Sequence, residues 1–281
     1  MKVSVIFSTY NSVEWLQKVL WGFAYQTHKD FEIIIADDGS TPETAELIKT
    51  QSKALGLEIK HVWQEDEGFQ KCRILNKAIL HAQAPYIVFT DGDCIPRNDF
   101  LAVHVQEAKP GRYLSGSYYK LPMDTSHSIT QEDIKTQRCF DVKWLYQNGL
   151  PKTRKTLKLR ASQKWAPLLN ALTPTACNLK GSNASAWRQD ILDVNGFDER
   201  MQWGGLDREF GVRLANNGIK PKHVRYNAIC VHLDHSRGYK DPKMVAANKA
   251  LRVANAKNKV TWTDHGIQQL HDIGYTVEPS L

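Results

Sequence analysis

No stretch of the 281 residues approaches the ~18–20 consecutive apolar side chains needed to cross a bilayer, so no spanning helix is expected. The five cysteines (Cys72, Cys94, Cys139, Cys177 and Cys230) are odd in number, scattered, and never spaced CxxC. That argues against a disulfide framework and against a zinc cluster. Neither GxGxxG nor GxxxxGK[ST] follows the first apolar run, which sets aside the usual dinucleotide and P-loop sites. There are no internal repeats and no low-complexity tracts. The opening "MKVSVIFSTYNS" has too short an apolar run for a signal-peptide core and reads as a first strand. The chain is therefore expected in the cytoplasm. At this length it is one large α/β domain or two small ones.

What is present is alternation. "KVSVIF", "FEIIIA", "EIKHVW" and "YIVFT" read as strands. Between them, "NSVEWLQKVLWGFAYQ", "PETAELIKTQSKAL" and "FQKCRILNKAILHA" read as helices, the first with Asn11 or Ser12 as cap and Leu16, Val19, Leu20 and Phe23 on one face. Continuous apolar strands alternating with helices imply a parallel, doubly wound sheet. Ligands of such sheets bind beyond the carboxyl ends of the strands. Those ends are Ser8-Thr9-Tyr10-Asn11, Asp37-Asp38-Gly39 and Asp91-Gly92-Asp93, three polar clusters on one edge.

The last cluster is the most informative. A turn accounts for Asp-Gly, but two carboxylates one residue apart repel each other, and a bound divalent cation such as Mg²⁺ or Mn²⁺ removes that repulsion. With no glycine-rich phosphate loop, a metal on Asp93 is also the remaining way to hold a phosphate. Cys94, next in sequence, reads as a small buried residue beside the site. The net charge of +7 suits nucleic acid, anionic lipid or a phosphate-bearing substrate.

From Gly111 to Thr175 the pattern loosens. "SITQEDIKTQRCFDVKWLYQN" reads as helical. The basic run Lys152, Arg154, Lys155, Lys158, Arg160 and Lys164, with Lys143 upstream, is a solvated face or a contact for anionic lipid or a phosphate-bearing acceptor. Beyond it, Gly181-Ser182-Asn183 reads as a loop, Trp187 to Val194 as a short helix, and Leu206 to Asn216 as a helix closed by Asn217-Gly218. "KPKHVRYNAICVHL" reads as one strand ending at His232, Asp234 and His235, and "PKMVAANKALRVANAKNK" as a last amphipathic helix.

These residues resemble a known family. "VSVIFSTYNSVEWLQKVLWGFAYQTHKDFEIIIADDGST" followed by "FTDGDCIPRNDF" is similar to the inverting nucleotide-sugar transferases of glycosyltransferase family 2. "GSNASAWRQDILDVNGFDERMQWGGLDREFGVRLANNG" resembles the acceptor side of β-1,4-galactosyltransferases and chondroitin-type polymerases. The resemblance implies a GT-A (Rossmann-like) α/β fold with a mostly parallel sheet flanked by helices and a C-terminal acceptor-side region packed on the same sheet. It implies one domain over 1–281: a nucleotide-sugar-binding half (1–110), a variable insertion (111–175) and an acceptor and catalytic half (176–281). It assigns Thr9, Tyr10 and Asn11 to the nucleotide base, Asp38 to the uracil edge, Asp91 to the ribose and donor, and Asp93 to Mn²⁺ or Mg²⁺ with His235 or His232. Asp207 takes the base position of the family's Trp-Gly-Gly-Glu-Asp, and Trp203, Gly204 and Gly205 the acceptor wall. Leu206 stands where the family often has an acceptor-holding glutamate.

The implied activity is transfer from a UDP-sugar to a hydroxyl of a glycan or lipid-linked acceptor in cell-surface polysaccharide or lipopolysaccharide synthesis. Peripheral contact with the anionic inner face of the plasma membrane is also implied. Each residue also has a plain structural reading: Trp203 as a core aromatic, Asp207 as a helix-dipole carboxylate, and the histidines as strand-end polar groups. The rival functions are a retaining enzyme or one using a different donor, and a non-catalytic nucleotide-sugar-binding module. Nucleic-acid binding has little support, because the basic run lacks interleaved aromatics.

Overall fold

The computed structural model describes residues 1–236 and 241–272. Among the described residues ten strands form two sheets: β1 (Val3–Thr9), β2 (Phe31–Asp37), β3 (Ile59–Trp63), β4 (Tyr86–Asp91), β5 (Cys94–Pro96), β6 (Arg112–Ser115), β7 (Ser117–Lys120), β8 (Asn183–Trp187), β9 (Lys220–His223) and β10 (Ile229–His232). Seven make the main sheet in the order β3-β2-β1-β4-β8-β6-β9, and three make a small one, β5-β10-β7. The first four strands are mutually parallel, as the alternation requires. Their register sets Thr9 beside Asp37 and Ser8 beside Asp91, so the three polar clusters share one edge.

Helices cover both faces. On α1 (Val13–Ala24), Leu16, Val19, Leu20 and Phe23 are all fully buried against Val3, Val5 and Phe7. Burying each such side chain contributes about 1.5–3 kcal/mol. α2 (Pro42–Leu55) packs beside α1, with Pro42 in its first turn. α3 (Lys71–His81) takes the opposite face, with Ile74, Ala78 and Ile79 against Ile6, Ile34 and Ile87. Among the described residues no helix is long and apolar enough to cross a membrane.

The second half departs from expectation in five places. Asn183, read as part of a loop, opens β8, which lies antiparallel between β4 and β6. Its residues Asn-Ala-Ser-Ala give no apolar run, yet Ala184 and Ala186 are fully buried and Asn183 donates to the carbonyls of Ser117 and Ala228. The 220–233 region is two strands in two sheets, β9 and β10, rather than one. β6 and β7 are strands too short to show a period. The expected long helix after Ser128 breaks into Gln131–Lys135, a 3₁₀ turn at Arg138–Phe140, and Val142–Gln147. The break has local causes: Gln137 adopts a φ of 63°, and Asp141 caps the next helix by accepting from the N–H groups of Lys143 and Trp144. The helix Leu206–Asn216 forms with the expected bounds. The helix Pro242–Lys257, which a short helix Ile267–Asp272 follows, buries asparagines, Asn248 and Asn255, rather than an apolar stripe.

Candidate active site

The Asp-Gly-Asp at the end of β4 is shaped by its neighbour β1. Gly92 donates its N–H to the Ser8 carbonyl, and a Cβ at position 92 would lie 2.7 Å from that oxygen. Only glycine lets the backbone come this close. The two flanking carboxylates meet different partners. Asp91 Oδ1 accepts from Lys71 Nζ at 2.8 Å. Burial raises the Asp91 pKa, but the Lys71 charge and hydrogen bond outweigh it and hold the carboxyl below its ordinary value. Burial likewise opposes the Lys71 charge, yet Asp91, then Asp93 and Asp207, push its pKa up to about 12.

Asp93 Oδ2 faces two imidazoles, His235 Nε2 at 3.3 Å and His232 Nε2 at 3.4 Å. Burial pushes its pKa up, the histidines work against this, and Asp91 adds to it. The His232 and His235 rings stack at 5.4 Å, and the buried Nδ1 of His232 has no hydrogen-bond partner. Cys94 is within reach of Asp93 and His232, but burial and the neighbouring Cys230 hold it as a thiol, which disfavours it as a ligand. Arg237, at the end of the quoted His-Ser-Arg, lies outside the described residues.

On the first two strand ends the polar residues largely bind one another. Asp38 accepts from Gln64 Nε2 at 2.7 Å and from the Gln70 N–H at 2.9 Å, and burial pushes its pKa up. It thus pins the β3–α3 loop while each oxygen keeps a second lone pair. Tyr10 is half exposed, with its hydroxyl on Asp66. Asn11, at a φ of 45°, accepts from the Thr41 N–H. The Thr9 hydroxyl is buried without a partner. Asn11, Trp15, Met123, His127 and His235 all line one hollow of about 340 Å³.

Asp207 sits in the first turn of the helix Leu206–Asn216, entered through Gly204 and Gly205 at φ of 82° and 87°. Its carboxylate accepts from the N–H groups of Gly181 at 3.2 Å and Arg208 at 2.9 Å. Burial pushes its pKa up, these two N–H groups lower it, and Asp91 raises it further. The helix is fixed from behind by a fully buried pair: Arg213 Nε donates to Glu209 at 2.7 Å, and its guanidinium also donates to the carbonyls of Val194 and Gly196. Asn255 adds a hydrogen bond to Glu209, and Asn248 donates to the carbonyls of Trp203 and Gly204. Trp203 stacks on Phe69 at 3.9 Å.

The structure therefore brings together Asp91, Asp93, His232 and His235, and places Asp207 in electrostatic contact with Asp91 through the Lys71 cluster. Thr9, Tyr10, Asn11 and Asp38 lie on the neighbouring strand ends, and Trp203 on the loop before Asp207. Sequence reasoning missed Lys71, Phe69, Asn248 and the Gly181 N–H. The signal available for Lys71 was a cation at the first position of a helix, where the dipole disfavours it.

Residues 4–164 match the family described as Glycosyl transferase family 2, and residues 175–236 match the N-terminal domain of galactosyltransferase. Validoxylamine A glucosyltransferase of Streptomyces hygroscopicus subsp. jinggangensis is 29% identical over 253 residues, covering 84% of this chain and 56% of that protein. Chondroitin synthase of Escherichia coli is 27% identical over 282 residues, covering 92% of this chain and 38% of that one. The chain thus spans about half the length of the first of these relatives, and less of the second. Among solved structures, S. aureus TarS superposes with a TM-score of 0.60 at 18% identity, covering 92% of this chain and 41% of TarS. The mannosyltransferase PcManGT from Pyrobaculum calidifontis, solved with GDP-Man and Mn²⁺, gives 0.58 at 19% identity, covering 99% and 76%.

Proposed function

This chain belongs to glycosyl transferase family 2 and has the GT-A fold, and from that premise we propose that it moves a sugar from a UDP-sugar to a hydroxyl of a glycan or lipid-linked acceptor, inverting the anomeric carbon. The observation that carries this reading is Asp207: a carboxylate held by two backbone N–H groups, with its pKa raised by burial, beside the Lys71–Asp91–Asp93 cluster. A carboxylate so placed can take the proton of an acceptor hydroxyl, and a raised pKa brings its basicity nearer neutral pH. Lys71 keeps its charge throughout the physiological range and faces the region where a diphosphate would gather negative charge. Trp203, braced by Phe69 and Asn248, offers a flat face for a sugar ring. Asp38 and the Thr9–Asn11 turn are assigned to the nucleotide base.

Asp93, His232 and His235 fit a divalent cation: one carboxylate oxygen of Asp93 lies within 3.4 Å of an imidazole nitrogen of each histidine. The mixed oxygen and nitrogen set suits Mn²⁺ better than Mg²⁺, which prefers oxygen ligands and water. The Mn²⁺ in PcManGT supports a divalent ion at the level of the fold. Such an ion acts as a Lewis acid on the leaving diphosphate.

The test is a donor screen of UDP-sugars against other nucleotide sugars, with and without Mn²⁺, reading free nucleotide. Release confined to UDP-sugars and abolished by chelation supports the reading; equal release from GDP-sugars, or full activity after exhaustive chelation, contradicts it. The anomeric proton coupling of the product separates inversion from retention.

A membrane contact has one observation in its favour. Leu157, Trp165, Leu168 and Leu172 are exposed, from 49% to 68%, and lie among Lys152, Arg154, Lys155, Arg160 and Lys164. Exposed apolar side chains within and just after a basic run suit the surface of an anionic bilayer, consistent with peripheral attachment at the inner membrane face. Equal flotation on neutral and anionic vesicles at low salt counts against it.

A further inference from the structure

Next to the Gly181–Asp207 hydrogen bond a cation, Lys180, feels the charges of Arg225 and Asp207, and Lys158 feels those of Arg225 and Lys180. Lys180 immediately precedes Gly181, whose N–H donates to Asp207. Arg225, in the turn between β9 and β10, is anchored through Nη1 to Thr175 Oγ1 at 2.7 Å, while its Nε is buried with no hydrogen-bond partner. Thr175 is held a second time, by His223 through its carbonyl at 3.0 Å, so the anchor is fixed from both sides. Lys158 reaches the same place from the basic segment. Burial, then the charges of Arg225 and Lys180, press its pKa down to about 8. Burial and the charges of Arg225 and Arg208 press Lys180 down too, with Asp207 acting in the opposite direction.

Like charges gathered in a half-buried place repel one another and are costly to desolvate. An oxyanion removes both costs, and a guanidinium with a free N–H recognises phosphate or carboxylate with directed hydrogen bonds. We propose that Lys158, Lys180 and Arg225 form an oxyanion subsite beside Asp207, and that the acceptor carries the matching phosphate or carboxylate close to the hydroxyl that receives the sugar. This rests on the glycosyltransferase reading and narrows its acceptor class. It also gives a role to the space next to Leu206, where the family's acceptor-holding glutamate is absent. A cationic subsite grips an acidic acceptor from the side.

The test uses the whole chain loaded with UDP and Mn²⁺, so that the donor site is filled and cannot capture the probe. Binding of galactose 6-phosphate, galacturonate and galactose is compared by calorimetry. The charged probes should bind at least on the order of tenfold tighter than galactose, the scale of a charge-assisted hydrogen bond. Preference for the phosphate alone assigns a phosphate, and preference for the uronate alone a carboxylate. Arg225→Gln and Lys158→Gln should each reduce the preference, with circular dichroism checking the fold. Lys158 lies on a surface segment, so its variant keeps the test open if Arg225→Gln fails to fold. Absence of any preference overturns the proposal, as does a preference that survives both substitutions. Charge selectivity seen only on anionic vesicles overturns it in favour of a lipid surface. Failure of the protein to bind UDP is a different result and strikes the glycosyltransferase reading itself.

Discussion

The two halves of the active edge treat their polar groups differently. In the first half the carboxylates are already answered: Asp37 by Ser40 and His61, Asp38 by Gln64 and Gln70, Asp91 by Lys71. The buried atoms left unpartnered there include the hydroxyls of Thr9 and Thr44 and an amide oxygen of Gln64. In the second half they include the Arg225 Nε and the His232 Nδ1, and Asp207 is held only by backbone N–H groups. Unpaired buried polar groups are costly. A protein that finishes one half and leaves the other open keeps the open half for ligands, here read as metal and acceptor.

The largest effect that would break this contrast is expected at Asp207. Asp207→Asn keeps the size of the side chain and should lower transfer by ~10²–10⁴, the usual cost of losing a general base, with UDP binding retained. A near-normal single-turnover rate would move the base elsewhere. The wild-type rate should also fall on acidification through a pKa above the ordinary carboxylate value of about 3.9, because burial favours the protonated, inactive form of Asp207. An acid limb unchanged from that of a model carboxylate would contradict the raised value.

Next come effects on stability. Glu209→Ala leaves the Arg213 guanidinium buried and unpaired, at a cost of about 3–5 kcal/mol in urea unfolding. A loss under 1 kcal/mol would show that the helix carrying Asp207 does not depend on this pair. Asp38→Ala strands the Gln64 amide and the Gln70 N–H, and should cost about 1–3 kcal/mol in UDP affinity. Equal weakening of UDP, GDP and ADP would make Asp38 a scaffold residue rather than a reader of the base. The Lys71–Asp91 pair should show little pH dependence near neutrality. Its raised Lys71 pKa means the lysine's contribution is fully present below the ordinary lysine value and is lost only as pH rises towards about 12. The smallest effect is Trp165→Ser, expected to weaken vesicle binding by at most ~3 kcal/mol, and no change at all would leave that side chain out of any membrane contact.

The same division governs what could be read from the chain. Strands such as β1 and β2 are buried on both faces, so their apolar runs announce them, and their polar ends announce the edge. β8 could not be read this way: Asn183, Ala184, Ser185 and Ala186 lie at the centre of the main sheet, where small residues pack against Tyr86, His104 and the strand carbonyls. The helix Pro242–Lys257 buries asparagines because its task is to bond carbonyls of the Trp203–Gly204 loop and the Glu209 carboxylate. Asp91 and Asp93 were legible as candidates because two carboxylates stand one residue apart at a strand end, and Asp207 only through the family resemblance. Lys71 and Arg225 were not, since a cation's use depends on partners distant in sequence.

The most direct test of the open half is pulsed electron paramagnetic resonance of one equivalent of Mn²⁺ bound to the UDP-loaded chain. The account predicts modulation from directly coordinated imidazole nitrogen, reduced in His232→Ala and in His235→Ala, together with coupling to the phosphorus of UDP. A spectrum with phosphorus and water couplings but no nitrogen, unchanged by either substitution, would contradict it.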